Sequence, residues 1–394
     1  MLIRRAFFVY KIKTFNNIDE EGLARLPESF EIVDGEDYDG IILRSYNLSM
    51  DEISKKTSAI ARAGAGVNNI PVDECSNKGI VVFNTPGANA NAVKELVVLG
   101  ALLASRKVFE GIKWAQGLEK NESVAQEVES EKSRFTGPEI LGKKVGVIGL
   151  GAIGLLVANT FVDMGCEVFG FDPFISVEHA WGLTSDVTRI NSVDWLFENC
   201  DYITVHIPYM DSTHEFVNAG LLGKAKDGIR IINFARGELV ETEAIISAVQ
   251  SGKVACYITD FPNESFIGVD NIIAVPHLGA STPEAETNCA IMAVEEISDY
   301  LMNGNIRNSV NYPDCELGER GNKIRLAINH RNIPNMVGQI TSLLASEHVN
   351  IDNMINRSRG DYAYTIVDVD NSFSDVVMDE IMGIDGILNV RRFV

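Results

Sequence analysis

Val145-Gly146-Val147-Ile148-Gly149-Leu150-Gly151-Ala152-Ile153-Gly154 decides the fold of this 394-residue chain. Residues 144–148 form a short apolar run, which reads as a buried strand, and the pattern G-x-G-x-x-G opens where it ends. A helical stretch over 155–164 follows and stops at Gly165, a residue suited to a helix C-terminus. In this pattern Gly149 permits the tight turn, Gly151 lets the backbone approach a pyrophosphate, and Gly154 lets helix and sheet pack closely. The helix start at Ala152 and Ile153 presents free amides and a partial positive charge to phosphate. Asp172 stands 18 residues beyond Gly154 at the end of the next apolar run. A carboxylate there binds ribose hydroxyls and repels a 2′-phosphate, which predicts NAD rather than NADP as cofactor.

The same rhythm continues outward. Residues 167–171, 202–207, 230–234, 255–259 and 271–275 are compact Val/Ile-rich runs, the signature of strands covered on both faces. Six such strands with crossover helices predict a doubly wound Rossmann domain over 95–282. On the N-terminal side, runs at 5–9, 40–44, 59–63 and 80–84 alternate with polar helical stretches. They predict a second, flavodoxin-like α/β domain over 1–94, completed by 283–310, where 284–301 reads as a long helix. Residues 91–104 read as a helix, and the Glu/Lys-rich segment 117–133 as an exposed arm or loop. The tail changes rhythm. Strand 323–329, helix 336–346, strands 351–357 and 362–369, helix 374–382 and strand 387–393 give βαββαβ, the ferredoxin-like order. These residues, 322–394, are expected to be a third, separate domain.

Composition narrows the function. With 34 Lys+Arg against 55 Asp+Glu the net charge is −21, which disfavours nucleic-acid or anionic-membrane partners. No apolar run approaches the ~18 residues of a membrane span, and residues 6–10 are too short for a signal-peptide core. Six scattered cysteines without a C-x-x-C pair argue against zinc and disulfides, and suit a reducing cytoplasm. An acidic chain that handles an anion must gather positive charge locally, so individual arginines gain interest.

Three segments carry residues that packing does not require: Ile232-Asn233-Phe234-Ala235-Arg236-Gly237, Thr259-Asp260-Phe261-Pro262-Asn263-Glu264, and Val275-Pro276-His277-Leu278-Gly279-Ala280-Ser281-Thr282. All fall beyond carboxyl ends of strands, where open α/β sheets bind ligands. In this order they resemble the D-2-hydroxy-acid dehydrogenases, over residues 40–306. The resemblance implies His277 as general acid/base, Glu264 as its carboxylate partner and Arg236 as the group that orients the substrate. Glu264 stands four residues after Asp260, where the family more often has five. The chemistry agrees: oxidising a secondary alcohol needs a base for the hydroxyl proton while hydride leaves for nicotinamide, and histidine serves in both directions. Arginine binds a carboxylate through two parallel hydrogen bonds. The resemblance also puts His206, Ile207, Pro208, Thr213, Ala235, Asp260 and Gly279 along the cofactor. His206, ending a strand at the same rim, is the rival base.

Ile42-Leu43-Arg44-Ser45, Ala61-Arg62-Ala63-Gly64-Ala65-Gly66 and Asn84-Thr85-Pro86-Gly87 are similar to the branch of the family that acts on 3-phosphoglycerate. Arg44, Ser45 and Arg62, with the backbone amides of Gly64, Ala65 and Gly66, would hold phosphate and carboxylate. Lys94 has no assigned role. Asn329-His330-Arg331-Asn332-Ile333-Pro334 looks like the opening of an ACT domain, a small regulatory module. The resemblance implies L-serine as effector between paired modules, at His330, Asn332 and Asn350, and hence a homo-oligomer, dimer or tetramer. Two alternatives stay open: a dehydrogenase of another D-2-hydroxy acid (lactate, glycerate or hydroxyisocaproate), and a non-enzymatic NAD-sensing protein on the same fold.

Overall fold

The computed structural model describes residues 9–120, 122–370 and 373–394. It divides into two compact units, one formed by 1–89 with 283–394 and the other by 90–282.

The first unit opens with strands β1 (Tyr10–Phe15), β2 (Phe30–Ile32), β3 (Gly40–Leu43), β4 (Ala59–Arg62) and β5 (Val81–Asn84). They pair in parallel in the order β2-β1-β3-β4-β5, the flavodoxin-like arrangement. The expected first strand at 5–9 falls, save for Val9, outside the described residues. The strand that is seen spans Tyr10–Phe15, with Ile12 fully buried between partly exposed Lys11 and Lys13. Ile42, Ala61 and Phe83 line one face of the sheet against the helix Pro283–Asn303, and Ile41, Leu43, Ile60 and Val82 line the other. Burial on both faces explains the uninterrupted apolar runs.

The second unit holds β6 (Lys144–Ile148), β7 (Glu167–Phe171), β8 (Thr188–Arg189), β9 (Tyr202–Val205), β10 (Ile229–Asn233), β11 (Val254–Thr259) and β12 (Ile272–Ala274). Their order is β12-β11-β10-β9-β6-β7-β8, all parallel, with strand order reversing between β6 and β9. This is the expected doubly wound sheet with one more edge strand, β8, whose two residues carry no pattern to read. The segment 117–133, expected as an arm or loop, is exposed and carries the helix Val124–Glu131, while a further exposed helix, Val108–Gln116, precedes it. Its Glu, Lys, Ala and Gln are good helix formers, and its polarity reflects that neither helix buries a residue.

The tail folds as β13 (Ile324–Arg331), helix Met336–Ser346, β14 (Ile351–Arg359), β15 (Tyr362–Val369), helix Asp375–Met382 and β16 (Ile387–Phe393). The antiparallel order β14-β15-β13-β16 is ferredoxin-like. One sheet face packs on its own helices through Leu326, Ile328, Ile340, Leu344 and Val367. The other shares a core with the first unit: Ala327, Tyr364, Ile366 and Phe393 meet Tyr300, Leu301, Ile306 and Tyr312. Residues 322–394, expected as a separate domain, thus lie in the same compact unit as the first sheet. A buried pair reinforces that seam. Arg325 donates to both carboxylate oxygens of Asp368, at 2.6 and 3.0 Å, and to the carbonyls of Asn303 and Gly318.

Candidate active site

The glycine turn sits at the carboxyl end of β6, beside the point where strand order reverses. Its backbone is tied to both neighbouring strands: the Gly149 amide donates to the Phe171 carbonyl, and the His206 amide to that of Ile148. Gly149 has φ +86°, and a Cβ there would lie 2.7 Å from the His206 carbonyl oxygen. A Cβ on Gly154 would meet the Gly149 oxygen at 1.9 Å. At Gly151, by contrast, a Cβ would meet nothing within 4 Å. The middle glycine therefore faces open space at the start of the helix Ala152–Asp163, the place a pyrophosphate requires. Asp172 is fixed by the Leu150 and Phe174 amides, each 2.8 Å from one of its oxygens. It is half-buried, with acceptor capacity left for ribose hydroxyls. The donor set and the open cradle fit a dinucleotide.

The loop after β9 carries His206, Ile207 and Pro208. The Thr213 hydroxyl closes it, donating to the Pro208 carbonyl at 2.8 Å and accepting from the Met210 amide. The His206 ring bonds the Thr204 hydroxyl at 2.8 Å, and burial pushes its pKa down to about 3. Burial thus disfavours the cationic ring, which makes His206 the weaker candidate for a base near neutrality.

At the ends of β10, β11 and β12 the structure gathers Arg236, Asp260 and His277. Asn233, fully buried, shapes the first loop: its side chain accepts from the Ala235 amide and donates to the Arg236 carbonyl. The Arg236 guanidinium is exposed and touches the Ala235 carbonyl at 2.6 Å. His277 is exposed, has φ +44°, and lies edge-on to Phe261 with ring centroids 5.0 Å apart. Left-handed backbone at a non-glycine residue is strained and is held only where its surroundings demand it. Here Asp260 makes that demand: its carbonyl accepts from the His277 amide and its Oδ2 from the Gly279 amide, both at 2.9 Å. Its Oδ1 is buried and, among the described residues, accepts no hydrogen bond. Burial raises the Asp260 pKa, against the Gly279 amide and the charges of His277 and Arg236. Glu264 lies exposed in the one-turn helix Glu264–Phe266. Among the described residues, no hydrogen bond or ion pair joins it to His277. Lys94, in the helix Ala90–Ser105, lies 3.9 Å from Glu95.

The first unit assembles the other candidates at the carboxyl ends of β3 and β4. The Ser45 amide donates to the Asn16 side chain across the β1–β3 switch point. Arg62 donates through Nε to the Arg44 carbonyl at 2.9 Å, and its guanidinium lies against Gly64, whose φ is +155°. A side chain at Gly64 would strike that guanidinium. The Asn84 side chain pins the turn at the Ala65 carbonyl. Arg44 itself is ion-paired to Glu286 at 2.8 Å. Nothing in the sequence marks Glu286, which lies in a helix outside every motif; Asn233 stands in the Asn-x-x-Arg-Gly stretch, but its role in shaping the loop shows only in its hydrogen bonds.

In the tail, His330 is buried. Its Nδ1 bonds the Arg331 carbonyl, its Nε2 lies 2.9 Å from the Thr365 hydroxyl, and burial lowers its pKa. Asn332 is exposed and donates to the Gly360 carbonyl before β15, whereas Asn350 bonds Asp370 beyond its far end.

Comparison with known proteins agrees with this architecture. Residues 101–279 match the NAD-binding domain of D-isomer specific 2-hydroxyacid dehydrogenases. A hydroxypyruvate reductase of Thermotoga maritima is 36% identical over 259 residues, covering 64% of this chain and 79% of that protein. The chain belongs to the D-isomer specific 2-hydroxyacid dehydrogenase family. A D-3-phosphoglycerate dehydrogenase of Synechocystis is 34% identical over 334 residues, covering 79% of this chain. The chain spans 58% of that relative's length, and 52% of the Archaeoglobus fulgidus one. An NAD+-bound 3-phosphoglycerate dehydrogenase of Entamoeba histolytica superposes with a TM-score of 0.61 at 27% identity, covering 77% of this chain and 99% of that one. Among the described residues no helix is long and apolar enough to cross a membrane.

Proposed function

We propose that this chain oxidises 3-phospho-D-glycerate to 3-phosphooxypyruvate with NAD, the first step of L-serine biosynthesis. One observation carries the reading: in a chain of net charge −21, Arg44 and Arg62 end two neighbouring buried strands, with Arg62 Nε on the Arg44 carbonyl and the Arg62 guanidinium against the Gly64 turn. A phosphate dianion needs such local charge against the background field. The names of the relatives at 31–34% identity support it.

In this reading the Gly149–Gly154 turn and Asp172 hold NAD, which supplies the hydride acceptor when bound. Arg236 and the Gly64–Gly66 amides orient the substrate carboxylate, and Arg44 and Arg62 receive the phosphate. His277 takes the hydroxyl proton. Asp260 fixes the His277 turn and steadies the imidazolium, and Glu264 is the further carboxylate proposed for that role. L-serine would bind between the tails of two copies. β15 spans about 25 Å at ~3.3 Å per residue, so Asn332 and Asn350 of one chain sit too far apart to share a small ligand. His330 would support Asn332 from inside. That reading requires a dimer or tetramer, and six free, buried thiols suit a reducing cytoplasm.

NAD reduction with 3-phosphoglycerate, with and without L-serine, tests all of it. Turnover of unphosphorylated D-2-hydroxy acids alone would favour the second reading, supported by the hydroxypyruvate reductase likeness and by the ion-paired state of Arg44. NAD binding without any reduction would favour a cofactor-sensing protein.

A further inference from the structure

We propose that Glu286 sets how tightly this chain holds a phosphorylated substrate, by neutralising Arg44. The proposal rests on the reading that Arg44 faces the substrate phosphate.

Glu286 lies in the first turn of the helix Pro283–Asn303, and its Oε1 is 2.8 Å from Arg44 Nη1. The buried Cys289 thiol, one helical turn further on, feels Arg44, Arg62 and Glu286 together. Three charges therefore share one corner of the first unit, two positive and one negative. Glu286 therefore offsets part of the positive charge that an incoming phosphate dianion would meet at Arg44. The phosphate must either displace the carboxylate from Arg44 or bind beside it. Displacement is feasible because both partners are about 40% exposed, with side-chain accessibilities of 38% and 44%, and such pairs are weak. A substrate without phosphate does not compete for Arg44 and is indifferent to Glu286. The carboxylate thus tunes selectivity between the two substrate classes without touching the reacting atoms.

Replacing Glu286 with Gln keeps the shape and a hydrogen-bonding group while removing the charge. Steady-state kinetics with saturating NAD should show KM for 3-phosphoglycerate falling about 2- to 5-fold in Glu286→Gln, the scale of a solvent-exposed charge contact. The value of kcat, and KM for an unphosphorylated D-2-hydroxy acid, should change by less than about twofold. The gain should shrink at high salt. It should also vanish in an Arg44→Gln background, because Glu286 acts through Arg44. Equal KM changes on both substrates, or a gain that persists without Arg44, would overturn the proposal. Failure of the substrate reading looks different: the wild type would not turn over 3-phosphoglycerate at all. In that event, activity appearing in Glu286→Gln would uphold the proposal, and its continued absence would overturn it.

Discussion

Replacing His206 with Gln should flatten the acid dependence of stability in the nucleotide-binding unit. The ring is buried against Thr204 and its pKa falls from 6.5 to about 3. The unfolded chain therefore takes up a proton below pH 6.5 that the folded one refuses until near pH 3. Stability linked to this group is fully present above the unfolded pKa and lost as pH falls toward the folded one. Between pH 7 and pH 5 the linkage amounts to about 2 kcal/mol, at ~1.4 kcal/mol per unit beyond the unfolded midpoint. Urea unfolding of wild type and His206→Gln at both pH values measures it, and only the difference between the two proteins matters. All three tryptophans, Trp114, Trp181 and Trp195, belong to the unit 90–282. Their fluorescence isolates that unit, which avoids treating the whole chain as two-state. Wild type should lose about 2 kcal/mol more than the variant on going to pH 5. Equal losses would mean that folded His206 protonates near neutrality, and it would regain its standing as the base.

His277→Ala should keep NAD binding and lower kcat by roughly 10²–10⁴-fold, the range for loss of a general acid/base; near-normal turnover would send the search elsewhere. Asp172→Ala should weaken NAD binding and relax the rejection of NADP, measured as the ratio of the two kcat/KM values; an unchanged ratio would remove Asp172 from the cofactor. Arg325→Ala strands the buried Asp368 carboxylate and should cost about 3–5 kcal/mol, read as a drop in the urea midpoint. A loss below about 1 kcal/mol would show that the seam between the tail and the first sheet is held by its aromatic contacts alone.

The nucleotide-binding half was legible in the sequence for a physical reason. Val145, Val147 and Ile148 must be apolar on both sheet faces, and Gly149 and Gly154 admit no Cβ, so residue type and position are tightly coupled there. The short strands β2 and β8 were illegible because a few edge residues carry no periodic signal. The segment 117–133 was read from its polarity as an arm or loop, although the residues of Val124–Glu131 within it favour helix. The tail's elements could be read from its period, but not their burial against Tyr300 and Tyr312. A sheet face that meets another part of the chain looks like one that meets its own core. Glu286 was invisible because its meaning lies in a through-space contact with Arg44, 242 residues away in the sequence.

The carboxylate at the catalytic rim illustrates how geometry ranks residues that sequence spacing cannot. Glu264 and Asp260 both lie within reach of the His277 segment along the chain. Holding His277 at φ +44° costs on the order of 1–3 kcal/mol, and something must offset that strain. Asp260 does so twice, accepting one amide through its carbonyl and another through its side chain, on either side of the bent residue. A group buried to this depth is expensive to leave charged, and the charges of His277 and Arg236 act against that cost by favouring the ionised form. Glu264, exposed and unattached to His277, carries no comparable energetic obligation.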